Sequence, residues 1–118
     1  MGYKRLTPAT FTSLKAFVVV PYNPDTPYQQ YREFTGGEVR AVRDRDGDAL
    51  KALQGMVGGL IEPLYFYDAE LDKEWTVYGN EEARIYGMEI NAAATAMLGH
   101  VICGPVVFHP ASWTQWGD

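Results

Sequence analysis

Three prolines fall within the seven residues Pro21-Tyr22-Asn23-Pro24-Asp25-Thr26-Pro27, directly after an apolar run, residues 14–20, that ends in three valines. Proline cannot donate to a strand ladder, so a strand built on that run stops at Pro21 and a loop takes over. Apart from Lys15 the run is short, apolar and β-branched at its end, which predicts a buried strand. The 118 residues, with 47% hydrophobic and 21% charged content, suffice for one domain with its own core and leave no room for a second. A polar, threonine-rich arm is expected over residues 1–13, the folded domain over residues 14–110 and a tail over residues 111–118.

Further along, residues 28–32 are expected to form a short helical turn. Residues 37–43 set Val39 and Ala41 against Glu38 and Arg40, the alternation of a half-exposed strand. An acidic loop with Asp44, Asp46 and Asp48 precedes Ala49, Leu50, Ala52, Leu53, Met56 and Val57. That spacing predicts a helix capped by Asp46 or Asp48 and stopped by Gly58-Gly59. Residues 60–67 and 74–78 flank a polar turn and read as a β-hairpin. Asn91 caps an alanine-rich helix closed by Gly99, and residues 101–108 form a last strand in which Gly104-Pro105 marks a bulge or an edge position. The order β-β-α-β-β-α-β is an α+β fold: a single small domain with a mixed or antiparallel sheet of about five strands and two short helices.

The net charge of −5 disfavours nucleic acid as a partner, because affinity for a phosphate backbone comes from lysine and arginine displacing counterions. The charge is divided: residues 1–43 carry +3 and residues 44–118 carry −8. A basic patch from Lys4, Arg5, Lys15, Arg32, Arg40 and Arg43 is one reading, an acidic face that meets a basic partner another, and two solvated faces the plainest. Cys103 is the single cysteine, which excludes an intrachain disulfide and favours a reducing compartment. The N-terminus has no apolar run of signal-peptide length, and the run ending at Pro21 is far shorter than the ~20 residues that span a bilayer. A cytoplasmic protein with no membrane partner is expected.

Several segments occur together in order: Leu53-Gln54-Gly55-Met56-Val57-Gly58-Gly59-Leu60-Ile61-Glu62, Asn80-Glu81-Glu82-Ala83-Arg84, Gly87-Met88-Glu89-Ile90-Asn91-Ala92 with Ala94-Thr95, and Ile102-Cys103-Gly104-Pro105-Val106-Val107. In these segments the chain resembles the domain of unknown function numbered 3846, spread among phages and actinobacterial mobile elements. The resemblance covers about residues 14–110, with the strand ending at Pro21 as the first element. It implies a phage-type accessory protein in the host cell cytoplasm, and it implies no activity.

Candidate chemistry is sparse. Asp44, Asp46 and Asp48 match the first ligands of a calcium loop, but the glycine and the bidentate acid such a loop needs are replaced by Ala49 and Gly55. The glycines of Gly55-Met56-Val57-Gly58-Gly59 follow a helix, whereas a phosphate cradle precedes one. In a single strand, His100 would face away from both Cys103 and His109, and the latter two would stand roughly 20 Å apart at ~3.3 Å per residue. No cysteine–histidine pair, metal set or cofactor site is expected on that geometry, and Cys103 reads as a small buried side chain. Glu81-Glu82 after Asn80 reads as the first turn of a helix rather than a catalytic acid pair.

The aromatic residues give the positive signal. Tyr22, Tyr28 and Tyr31 crowd the proline-rich segment, and Trp113 and Trp116 lie in a polar tail, the ring types favoured at protein interfaces. They are the candidate interaction residues of a non-enzymatic protein that docks on a host or phage protein, or on a second copy to form a homodimer. The alternative is a binding module for a small nucleotide or signalling ligand, with Tyr65, Tyr67, Trp75 and Tyr78 offering stacking surfaces on the hairpin. An enzyme ranks third, for want of a catalytic constellation.

Overall fold

The computed structural model describes residues 3–6, 16–21, 29–47, 49–69 and 72–111, with residues 46 and 65 as backbone alone. They form a six-stranded antiparallel sheet. Its strands are β1 (Lys4–Arg5), β2 (Phe17–Val20), β3 (Gln30–Glu33), β4 (Ile61–Asp68), β5 (Lys73–Asn80) and β6 (Val106–Pro110). Three helices are described: α1 (Gly36–Asp46), α2 (Ala49–Val57) and α3 (Ala92–Leu98). The spatial strand order is β1-β3-β2-β6-β5-β4. The α+β class, the hairpin of β4 and β5, and the helix between Asn91 and Gly99 stand as the sequence predicts; the sheet has one more strand and the fold one more helix.

Strand alternation splits the core into two layers. On one face Phe17, Val19, Tyr31, Trp75, Val77, Val106 and Phe108 pack against Ala94 and Ile102, with Met97 and Leu98 of α3 over them. Phe17 and Phe108 are cross-strand partners whose rings stack at 5.3 Å, and Trp75 and Tyr31 meet the Phe17 ring edge-on at 5.8 and 6.3 Å. Such contacts add roughly 0.5–1.5 kcal/mol each beyond the area they bury. On the other face Val18, Phe34 and Val107 pack against Val39 of α1 and Ala52, Leu53 and Val57 of α2.

Three elements differ from expectation. Residues 37–43 are helical, not a strand: the Thr35 hydroxyl accepts from the Glu38 amide at 3.2 Å and Gly47, in the left-handed region, ends the helix. Val39 and Val42, three apart, then turn inward together. Within the helical turn expected at residues 28–32, residues 30–32 belong instead to strand β3, because only an extended backbone lets Tyr31 pair with both Val19 and Lys4. The last strand begins at Val106, and β6 is central rather than an edge; Gly104 and Pro105 precede it. No helix of the described residues is long and apolar enough to cross a membrane.

Candidate functional site

The most elaborated end of the domain is where α2 stops, β4 starts and β5 gives way to the turns of residues 81–87. Gly58, at φ 81°, reverses the chain after α2, and the amides of Gly58 and Gly59 both donate to the Gln54 carbonyl. Buried Asn80 joins the two elements: its Nδ2 donates to the Val57 carbonyl at 3.0 Å and its Oδ1 accepts from the Glu82 amide at 2.8 Å. A Cβ at Gly59 would stand 3.0 Å from Asn80 Nδ2, so Asn80 would have to shift by a few tenths of an ångström to admit one. Glu81 and Glu82 thus begin a turn fastened by Asn80, not the helix expected of them.

A second buried amide fastens the far side of the same segment. Asn91 caps α3 by accepting from the Ala94 amide, and its Nδ2 donates to the carbonyls of Val19 at 3.0 Å and Gly104 at 2.9 Å. Ile90 bridges Cys103, the Gly104 amide donates to the Glu89 carbonyl, and Thr95 Oγ1 accepts from the Ile102 amide at 2.9 Å. Residues 100–103 are therefore a pinned loop and not part of a strand.

Between this loop and the hairpin lies a cavity of about 290 Å³ whose lining includes Glu62, Glu81, Arg84, His100, Val101 and Cys103. The expectation that His100 and Cys103 face opposite ways fails because the strand parity it rests on is absent: both line one cavity. Cys103 is half-buried. Among the described residues no hydrogen bond joins these two side chains; His100 Nδ1 lies 3.3 Å from the Leu98 carbonyl. No cluster of three or more His, Cys, Asp or Glu side chains able to hold a metal occurs among the described residues.

Around the cavity the segments present large apolar side chains to solvent. Ile85 is 78% exposed and Tyr86 68%, with Ile90, Val101 and Leu60 also exposed. Glu81 and Glu89 stand exposed among them. Nothing in the periodicity of residues 81–90 marks this surface, because which apolar residues lack cover is decided by how three turns meet. The pair Ile85-Tyr86, set between charged residues and Gly87, is the one local signal.

Of the expected interaction residues, Tyr31 is buried in the core at 5% exposure, and Tyr22, Tyr28, Trp113 and Trp116 lie outside the described residues. Of the expected stacking surfaces, Trp75 is fully buried, with Lys73 Nζ 4.2 Å from its ring centre, and Tyr78 is half-buried against the helical layer. Tyr31 and Trp75 present no ring to a partner, because each is spent on the Phe17 stack. The backbone of residue 65 pairs with Thr76. Tyr67 is exposed, and its hydroxyl donates to the Asp72 carboxylate. That bond, then desolvation and the charge of Asp68, raise its pKa above the ordinary tyrosine value. His109, in β6, is buried. Burial lowers its pKa, offset in part by its bond to the Pro110 carbonyl.

A family model described as Domain of unknown function (DUF3846) matches residues 15–113. The chain belongs to the DUF3846 family. The segments that carry the DUF3846 resemblance are the ones that meet at this end of the domain. Gly58-Gly59 lies against Asn80, and Met88 lies against Gly104, whose φ of 78° and lack of a Cβ make room for it. No curated protein and no solved structure matches the chain.

Proposed function

We propose that this DUF3846 domain is a non-catalytic, phage-type accessory protein of the host cytoplasm that binds a basic protein partner of host or phage origin through its apolar end. The observation that carries this reading is the exposure of Ile85 and Tyr86 on a turn held in place by its own hydrogen bonds, Gly87 amide to Arg84 carbonyl and Met88 amide to Ala83 carbonyl. Large apolar side chains presented on a fixed backbone give contact area with little ordering cost, the property that makes interface hot spots. Exposed Glu81 and Glu89 outnumber the adjacent Arg84, and on a chain of net charge −5 this balance favours a cationic surface opposite.

Binding is favoured over catalysis because, among the described residues, His100 and Cys103 share a cavity without the hydrogen bond that would make them a base and nucleophile pair. The test is co-purification of the wild-type chain and an Ile85→Asp/Tyr86→Asp variant from the native host. Both positions are exposed, so the variant keeps its melting temperature. The expected result is a basic protein retained by the wild type, released by salt and lost with the variant. Retention of the same protein by the folded variant, or recovery of the chain alone, overturns the reading.

A further inference from the structure

The cavity at the apolar end has a floor that one glycine keeps open. Gly79 of β5 pairs with Glu62 of β4, and both line the cavity. A Cβ at position 79 would stand 3.4 Å from Leu64 Cδ1, so the glycine leaves a slot against the Leu64 wall. The ladder runs on past the strand, since the Glu81 amide donates to the Leu60 carbonyl at 2.9 Å. Glu81 therefore stands diagonally opposite Glu62 on the same face, roughly 7–8 Å away. Arg84 and His100 also line the cavity, and Leu64, Ala83, Val101 and Ile102 supply apolar wall. Among the described residues none of Glu62, Glu81 and Arg84 is ion-paired.

We propose that this cavity is the socket for an arginine side chain of the basic partner, an inference that rests on the docking reading. The cavity is continuous with the docking surface: Arg84 lines it and Ile85 follows in the chain, and exposed Val101 belongs to both. Two carboxylates held apart on adjacent strands suit a planar guanidinium, whose fork of donors meets both, whereas a lysine ammonium is a single point charge. The aliphatic stem of the arginine covers the apolar wall while its head reaches the carboxylates. Arg84 finds its own acceptor in the main-chain carbonyl that a residue in peptide linkage brings with it. At about 290 Å³ the cavity falls just below the range of small-molecule sites, room for one side chain and not for a whole cofactor. Arginine in a desolvated pocket is also among the commonest anchors of protein interfaces.

The test is a titration of the isotope-labelled full chain with N-acetyl-L-arginine amide, N-acetyl-L-lysine amide and uncharged N-acetyl-L-citrulline amide, read at the amide resonances of Gly79 and Val101. Saturable shifts are expected with the arginine amide, with the lysine amide weaker and the citrulline amide weaker by about tenfold or more. Glu62→Gln/Glu81→Gln, altered only at exposed positions, keeps its melting temperature and loses about tenfold in affinity for the arginine amide. Gly79→Ala, whose Cβ meets Leu64 at an ordinary contact distance, stays folded and weakens the arginine amide by narrowing the slot without altering a charge. Ile85→Asp/Tyr86→Asp keeps the socket and still binds it. No saturation by the arginine amide, equal saturation by the citrulline amide, or undiminished binding by the folded Glu62→Gln/Glu81→Gln variant overturns the socket, even where a basic protein is recovered from the host. Binding of the arginine amide by a chain that recovers no basic protein upholds the cavity's choice of a guanidinium and overturns the docking reading alone.

Discussion

The side-chain amides of Gln29 and Asn91, 62 residues apart in the chain, meet at 3.2 Å inside the fold. Gln29 also donates to the Val20 carbonyl and accepts from the Ala93 amide at 3.2 Å. Together the two side chains tie the end of β2, the start of β3, the first turn of α3 and the Gly104 turn to one point. Buried amides of this kind fix one arrangement of elements, because every alternative leaves donors and acceptors without partners in a dry interior.

Replacing Asn91 should therefore cost more than losing a helix cap. Asn91→Ala strands the carbonyls of Val19 and Gly104 and the amide of Ala94. Buried polar groups left unsatisfied cost roughly 1–3 kcal/mol each, against about 1 kcal/mol for a cap alone. A loss of about 3 kcal/mol in urea unfolding is expected. Asn91→Asp, which keeps the size but not the donors, should cost at least as much at neutral pH. A loss near 1 kcal/mol for Asn91→Ala and none for Asn91→Asp, which keeps the capping acceptor, would show that the cap is all that Asn91 supplies.

The two glycines at the apolar end separate conformational strain from crowding. Gly58, at φ 81°, has only Met88 Cε at 3.7 Å from an added Cβ, an ordinary contact, whereas Gly104, at φ 78°, would place that Cβ 2.8 Å from Met88 Sδ. Gly58→Ala should cost about 1 kcal/mol, the price of a left-handed residue with a Cβ. Gly104→Ala should cost more, and thermal melting of both variants checks the order. The reverse order would mean that Met88 moves aside freely.

What the sequence shows of the fold depends on how local each signal is. Asn91 and Gly99 bracket an alanine run, and both ends of α3 follow from those two residues. The hairpin likewise follows from two apolar runs and a polar turn. In α1, Val39 and Ala41 alternate with charged neighbours as in a strand, yet Ala41 is exposed and Val39 pairs inward with Val42. The competing signal was local: Thr35 precedes Glu38 by three, the spacing of a helix cap. β3 is not legible in that way, because its extended form depends on partners far along the chain. The apolar end is less legible still, since exposure of Ile85 and Tyr86 depends on which turns leave them uncovered.

Acid should weaken the fold through His109. Its ring is buried and its pKa lies below the ordinary histidine value of 6.5, so near and below that pH the unfolded chain binds a proton that the folded chain refuses. Its contribution is intact above about pH 6.5 and is lost as pH falls from there toward the folded pKa, with a slope of up to about 1.4 kcal/mol per pH unit. His109→Asn retains a donor for the Pro110 carbonyl and cannot titrate. Urea midpoints measured between neutral and mildly acid pH should fall for the wild type and stay flatter for the variant.

The docking surface is tested most directly by placing a photo-crosslinking phenylalanine analogue at position 86 in the native host, and in a second strain at position 67. Both positions are exposed, but Tyr67 lies toward the far end of β4, roughly 20 Å from the apolar end at ~3.3 Å per residue. The expected result is an adduct with a basic protein from position 86 and none from position 67. No adduct from position 86, or the same adduct from both positions, would contradict a partner seated on Ile85 and Tyr86.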